Sequence, residues 1–217
     1  VQAFQSFLGT RGAFRGLFFT LLPAGAMSLG LALQSNLAVE FGMKDEALGA
    51  LNLWSSLIAA AAMVWGGWLS DRWGRRRTLA VYLAGMSLPV LYLLWVLRQH
   101  GYDMPRAPGA EPLPALITGL WIATLSYALF QGLMYGTRAA IMMDVTNPRV
   151  AATQFTAYMA MMNLAIAFAA TWQGAAVEAW GYQVTLIVDA ITGPLCVLLL
   201  PAMVRSERFT DALASAR

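Results

Sequence analysis

Long apolar stretches alternate with short polar stretches along the whole chain. Six apolar segments stand out, at residues 16–39, 47–69, 78–97, 113–135 or beyond, 150–177 and 182–204. Each is long enough to cross a hydrocarbon core of about 30 Å as a helix that rises about 1.5 Å per residue. Because unsatisfied backbone is too costly in lipid, we predict that these segments are spanning helices rather than strands.

The composition excludes a soluble domain and a disordered chain. Apolar residues make up 59% of the 217 residues and charged residues only 12%, against about 25% charged in ordinary soluble domains. A single cysteine, Cys196, and a single histidine, His100, leave no disulfide framework and no multi-histidine metal site. This composition predicts a polytopic membrane protein. We also find no phosphate-binding glycine loop and no nucleophile–base pair in the sequence, so we predict that the protein is not an enzyme and has no cofactor and no metal.

Basic residues fall mainly in connections that lie on one side of a six-helix bundle. Lys44, Arg98 and Arg106 are assigned to one side, and the other side carries the remaining eleven: Arg11, Arg15, Arg72, Arg75, Arg76, Arg77, Arg138, Arg149, Arg205, Arg208 and Arg217. The positive-inside rule then places both termini in the cytoplasm. This asymmetry predicts a multi-pass protein of the cell inner membrane with no nucleic-acid partner.

Part of the sequence repeats at an offset of 107 residues, which brings Gly74 onto Gly181. Both copies join the second and third helices of a three-helix unit. Three is an odd number, so the two units, at about 16–99 and 113–204, would enter the membrane from opposite sides. Inverted repeats of this kind are typical of secondary transporters. The residues that match are Gly67, Asp71, Trp73, Gly74, Thr78 and Leu79 with Gly174, Glu178, Trp180, Gly181, Thr185 and Leu186.

The first copy resembles the signature loop of the major facilitator superfamily, G-x-L-a-D-R-x-G-R-[KR]-x-x-L. The matching residues are Gly67, Leu69, Asp71, Arg72, Gly74, Arg75, Arg76 and Leu79. The resemblance implies a transporter of twelve helices in two six-helix halves, and this chain looks like one half. Residues 1–15 would form a cytoplasmic linker or amphipathic segment, residues 16–204 the all-helical bundle, and residues 205–217 a cytoplasmic tail.

Two short stretches indicate which half this is. Residues 5–11 resemble the central cytoplasmic linker that precedes the seventh helix. Residues 149–156 resemble the A-T-Q-F segment at the start of helix eleven in AmpG-type muropeptide permeases and related acetyl-CoA transporters. The resemblance implies a C-terminal half whose partner is an N-terminal six-helix half or a second copy.

The signature loop is also the candidate gate. We expect Asp71 at the start of the third helix, where a carboxylate caps free N–H groups. The arginines can pair with acids or helix ends and so hold the cytoplasmic ends of neighbouring helices together in one conformation of the transport cycle. The alternative is that the arginines only fix the orientation of the helices in the membrane. The gating residues implied by the resemblance are Gly67, Asp71, Arg72, Gly74, Arg75 and Arg76, with Gly67 and Gly74 allowing close approach and a tight turn.

Polar residues inside the spans are candidates for a solute pathway because they are expensive in lipid. The resemblance implies that the first, second, fourth and fifth helices line a central cavity. The candidates there are Asn52, Tyr127, Gln131, Tyr158 and Asn163, which can hydrogen-bond a polar small-molecule solute. The alternative for each is an interhelical hydrogen bond worth about 0.6 kcal/mol.

Charged residues within or near the spans divide into two cases. Asp189 is the only acid well inside a predicted span, which makes it a candidate for proton coupling, with a structural pairing as the alternative. Arg138 and Asp144 lie near the cytoplasmic end of the fourth segment, where we expect a solvated helix end rather than part of the latch.

The leading functional hypothesis is a proton-coupled symporter, a permease that moves a polar solute by alternating access. Six helices supply only one wall of a transport cavity, so a second half or a second copy is needed. The alternatives are a non-transporting assembly or scaffold protein on the same fold, or a half-size protein that must dimerise.

Overall fold

The computed structural model describes residues 31–102, 111–144, 146 and 150–204. The elements that it assigns there are α-helices. In chain order they are α1 (Leu31–Glu40), α2 (Asp45–Trp73), α3 (Arg75–Gly85), α4 (Ser87–Gln99), α5 (Pro114–Asp144) and α6 (Ala151–Val204).

Four helical stretches of the described residues are long and apolar enough to cross a membrane: Asp45–Trp73, Arg75–Gln99, Pro114–Asp144 and Ala151–Leu198. They cover the second to sixth apolar segments of the sequence, with the fifth and sixth joined in α6. Of the first segment, only α1 is described. The expected linker at 1–15 and tail at 205–217 lie outside the described residues.

The long helix α6 reverses direction at Gly181. This residue has φ 76° and ψ 170°, which are not helical angles. Gln173 and Asp189 are 16 residues apart, yet Gln173 Nε2 donates a hydrogen bond of 2.9 Å to Asp189 Oδ2. A continuous helix would separate these residues by about 24 Å. The stretches 151–180 and 182–204 therefore run antiparallel to each other.

The span Arg75–Gln99 is interrupted at Met86, between α3 and α4. Pro89 lies three residues further on and has no N–H to donate to the carbonyl group of Gly85. The Met86 N–H still bonds the Tyr82 carbonyl oxygen at 3.0 Å. Proline thus accounts for a local break within one span rather than for a change of direction.

The helices meet at two ends, which we call the tyrosine end and the arginine end. At the tyrosine end, Tyr102 Oη donates to Glu40 Oε2 at 2.9 Å, and Gln183 Nε2 donates to the Tyr102 carbonyl oxygen at 3.4 Å. The Phe41 ring packs edge-on against Tyr102, and the Leu113 N–H bonds the Phe41 carbonyl oxygen. These contacts join the segments around α1, α4, α5 and the second part of α6.

Helix α5 is central to the bundle, since it contacts each of the other five helices and packs most extensively on α2. Glycines allow this approach. A Cβ added to Gly132 or Gly136 of α5 would overlap the backbone oxygen of Ala59 or Met63 on α2, and one on Gly66 would overlap the Leu133 backbone. Small residues let spanning helices pack backbone to backbone in this way.

Two elements present large apolar side chains outward. On α2, Val64 and Trp65 are each 73% exposed, and Phe168 in the first part of α6 is 68% exposed. Groups of this size at a water-facing surface would be unusual for a soluble protein. The surface fits contact with lipid or with a further helical bundle.

Candidate gate at the arginine end

The arginine end is organised by Arg75, the first residue of α3. Its Nη2 and Nε atoms donate to Asp71 Oδ1 at 3.1 and 3.2 Å. Its Nη1 atom donates to the Ala140 carbonyl oxygen at 2.9 Å and to the carboxylate of Asp144. One guanidinium group therefore connects the end of α2, the start of α3 and the end of α5.

The expected capping role of Asp71 is wrong. Asp71 lies in the last turn of α2, and the residue before α3 is Gly74, which has no side chain to cap with. The chain turns at Gly74, with φ +89°, a backbone conformation that side-chain-bearing residues rarely adopt. Asp71 instead pairs with Arg75 four residues later, across this turn.

Asp144 joins the network, contrary to the expected solvated helix end. Its carboxylate lies at the last residue of α5 and pairs with Arg75 across 69 positions of sequence. Arg138 is likewise not a solvated group, because only 3% of its surface is exposed. The signal in the sequence was the position of Asp144 at the end of a span on the same side as the arginine cluster.

The remaining residues of the signature loop surround this pair. Arg72 stacks on the Trp68 ring with its guanidinium carbon 4.0 Å from the ring centroid. Arg76 is half-buried and Arg77 is exposed. A groove of about 470 Å³ opens here, lined by Trp73, Gly74, Arg75, Arg76, Arg77 and Asp144.

We expected Gly67 to allow a close approach between helices, but the space beside it is open. A Cβ on Gly67 would meet no atom within 4 Å, although its backbone nitrogen lies against Gly136 of α5. The buried glycine on this face of α2 is Gly66. The close contact between α2 and α5 therefore needs Gly66 and Gly136 more than it needs the absence of a side chain at Gly67.

The candidate cavity residues are found in three environments. Asn52 is half-buried, and its Oδ1 accepts a 2.9 Å hydrogen bond from Gln34 Nε2 of α1. Tyr127 and Tyr158 are buried in the core, with 3% and 0% of their surface exposed. Gln131 is half-buried and Asn163 is exposed. The side chains of Asn52 and Gln34 thus make a polar link from α1 to α2.

Asp189 lies within the hairpin formed by the two parts of α6 and is completely buried. Its Oδ2 accepts the hydrogen bond from Gln173, whereas its Oδ1 has no hydrogen-bond partner among the described residues. The neighbouring residue Ala190 accepts a 2.6 Å bond from Ser87 Oγ of α4. Among the described residues, no cationic side chain lies within salt-bridge distance of this carboxyl group.

Four apolar spanning stretches and a bundle joined by glycine contacts define a multi-pass membrane protein. The family model of the Major Facilitator Superfamily matches residues 13–216. The chain therefore belongs to the major facilitator superfamily, whose members are membrane transporters of small solutes. No curated protein and no solved structure matches the chain significantly.

Proposed function

We propose that this protein carries a polar solute across the cell inner membrane by alternating access, as a proton-coupled symporter of the facilitator type. The observation that carries the proposal is the Arg75 network, which ties the end of α5 to the turn between α2 and α3. Such a network can hold the arginine end of the bundle together in one state and release it in the other.

The proposed architecture is a six-helix half made of two inverted three-helix units. Two glycines support it. Gly74 and Gly181 occupy matching places in the sequence repeat, and both have positive φ at a reversal between two helices. In this arrangement Arg75 belongs to the first unit and Asp144 to the second. While this pair is formed, it would hold the two units together at the arginine end.

The other wall would come from an N-terminal six-helix half or a second copy. Helix α2 and the first part of α6 have large outward-facing surfaces, and both also carry polar candidates. Asn52, Gln131 and Asn163 retain some exposure and are the proposed solute contacts. Tyr127 and Tyr158 are buried in the bundle, so they would reach a solute only when neighbouring helices separate.

Asp189 is the proposed proton carrier. A buried carboxyl group with an amide partner and no cation within salt-bridge distance among the described residues can hold a proton inside the bundle. Arg138 on α5 is also buried, close enough to Tyr135 and Cys196 for their charges to affect it.

The substrate class follows only from the sequence. Residues 151–156 at the start of α6 belong to the stretch that resembles AmpG-type muropeptide permeases. The solutes to test are therefore muropeptide fragments, simple sugars and short peptides.

The test is uptake of labelled solutes by the full-length protein in proteoliposomes, with and without an inward proton gradient. We expect gradient-driven accumulation of at least one solute. Arg75→Gln should reduce the rate, and Arg98→Gln, which removes an exposed charge from the end of α4, should not. Absence of uptake for every solute would instead favour a scaffold role.

A further inference from the structure

A side-chain hydrogen bond joins α1 to α2 beside the proposed solute pathway. Gln34 Nε2 donates to Asn52 Oδ1 at 2.9 Å, although the two residues lie 18 positions apart in the sequence. Asn52 is about 10 Å along α2 from the first residue of the helix, Asp45. The bond therefore lies within the helical part of the span and not in the turn between α1 and α2.

The two partners of this bond differ in exposure. Gln34 is only 4% exposed, so its amide group is enclosed within the bundle. Asn52 is half-buried and keeps part of its surface open. Helix α1 packs mainly on α5 and α6 rather than on α2, so this bond is what draws the side chain of Asn52 towards α1. An enclosed donor thus holds a side chain that can still meet a solute.

The bond leaves the amino group of Asn52 available. An asparagine amide has one acceptor oxygen and two N–H donors. Oδ1 accepts the bond from Gln34, and no acceptor among the described residues takes a hydrogen bond from Nδ2. The donor at Gln34 Nε2 favours the orientation in which Oδ1 faces it, and this orientation turns Nδ2 away. Asn52 therefore presents N–H donors to the open side.

The surface of α2 beside Asn52 has room for a polar group. Gly49 lies one turn earlier on the same face, and a Cβ there would meet no atom within 4 Å. Ser56 lies one turn later on this face and is exposed. Leu53 and Leu57, which flank this row, are large, apolar and more than half exposed. Asn52 thus lies in a narrow polar row with open space beside it.

We propose that Gln34 is a positioning residue, which holds the Asn52 amide so that Asn52 Nδ2 donates a hydrogen bond to an acceptor oxygen of the solute. The solute then carries a hydroxyl, ether, carbonyl or carboxylate oxygen at this point. This inference rests on the proposed transport function, in which Asn52 is a solute contact. Gln34 itself is too deeply buried to touch the solute.

The test is the concentration dependence of uptake by the full-length protein in proteoliposomes, with a labelled muropeptide fragment, a simple sugar and a dipeptide as probes. Gln34→Met keeps a side chain of similar length but removes the donor. We expect a KM roughly threefold to tenfold higher with little change in maximal rate, because one hydrogen bond to the solute is weakened. Asn52→Asp can still accept from Gln34 but presents an acceptor in place of the donor, so it should raise KM by roughly tenfold or more.

A double variant and a control separate positioning from a structural role. Gln34→Met combined with Asn52→Ala should raise KM no more than Asn52→Ala alone, because Gln34 acts only through Asn52. Gln183→Met removes a different interhelical amide bond, from Gln183 Nε2 to the Tyr102 carbonyl oxygen at the tyrosine end. This control should leave KM unchanged. The melting temperature of each variant reports whether it folds, and the Asn52 variants change only a half-buried position.

The possible failures can be told apart. An unchanged KM in Gln34→Met, multiplied effects in the double variant, or an equal rise in Gln183→Met would overturn the positioning role while leaving transport in place. A wild-type KM in Asn52→Asp would show that the solute donates at this position, and would overturn the assigned direction of the bond. If the wild type takes up none of the three probes, the proposed transport function fails and the role of Gln34 fails with it.

Discussion

A single side chain, Arg75, makes the contacts that define the candidate gate. The guanidinium group is planar and presents several donors in a fixed fork, so it can serve two carboxylates and a carbonyl oxygen at once. Its acids lie four positions back and 69 positions ahead in the sequence. Neither partner can be replaced by the other, because Asp71 lies in the last turn of α2 and Asp144 at the end of α5.

The first prediction concerns the coupling between Arg75 and Asp144. Their side chains are 31% and 57% exposed, and pairs this exposed contribute about 1 kcal/mol or less to stability. We therefore expect Arg75→Gln and Asp144→Asn to leave the melting temperature nearly unchanged, yet each to lower the transport rate severalfold by releasing the latch.

The double variant supplies the control for this prediction. If the two residues act through one contact, Arg75→Gln with Asp144→Asn should be little worse than either single change. Multiplying effects in the double variant would mean that the residues act independently, and the latch would be the wrong description.

The second prediction concerns Asp189. Asparagine can accept the same hydrogen bond from Gln173 but cannot take up and release a proton. We expect Asp189→Asn to fold and to exchange solute down its gradient, while losing accumulation driven by a proton gradient. Uptake with and without the gradient measures this, and Glu178→Gln, at an exposed acid before the turn, is the control. A variant that still accumulates solute would leave Asp189 with a structural pairing only.

At the scale of the helices, the closest contact is the glycine-lined contact of α2 with α5. The third prediction is that Gly136→Ala destabilises the protein by about 1–3 kcal/mol, because the new methyl group would overlap the Met63 carbonyl oxygen. Gly174→Ala is the matched control, since a Cβ there would meet no atom within 4 Å. Thermal unfolding in detergent compares the two. Equal melting temperatures would show that the contact between α2 and α5 accommodates a methyl group at position 136.

The sequence predicted the helices better than it predicted their contacts. The length of the apolar segments predicted the helical stretches, and comparison of the two repeat copies singled out Gly74 and Gly181, because both features can be seen in the sequence without knowledge of the packing. Asp144 is 69 residues from Arg75 in the sequence, so the sequence alone predicts a solvated helix end for Asp144 and does not predict this contact. Gly66 lies beside Gly67 in sequence, and only the packing against α5 shows which of the two is enclosed. Burial of Tyr127 and Tyr158 likewise depends on which face of each helix meets its neighbours.

At the scale of the whole molecule, contacts tie the chain at two opposite ends. Arg75 and Asp144 meet at one end, and Tyr102, Phe41 and Gln183 meet at the other. The span Arg75–Gln99 separates the two ends along the chain. We therefore expect the two ends to face opposite aqueous compartments when the protein is in a membrane.

The last prediction assigns the two ends to compartments. The positive-inside rule, applied to the arginine excess, predicts that the arginine end lies in the cytoplasm. In a Cys196→Ser background, which removes a buried thiol, we expect a membrane-impermeant maleimide added to intact cells to label Glu111→Cys but not Arg77→Cys. Thr146→Cys, two residues beyond α5, should behave like Arg77→Cys because Asp144 contacts Arg75. After the cells are permeabilised, all three should react.

Labelling of both Arg77→Cys and Glu111→Cys in intact cells would contradict a single crossing of the membrane by Arg75–Gln99. Labelling of Arg77→Cys but not of Glu111→Cys would contradict the cytoplasmic position of the gate.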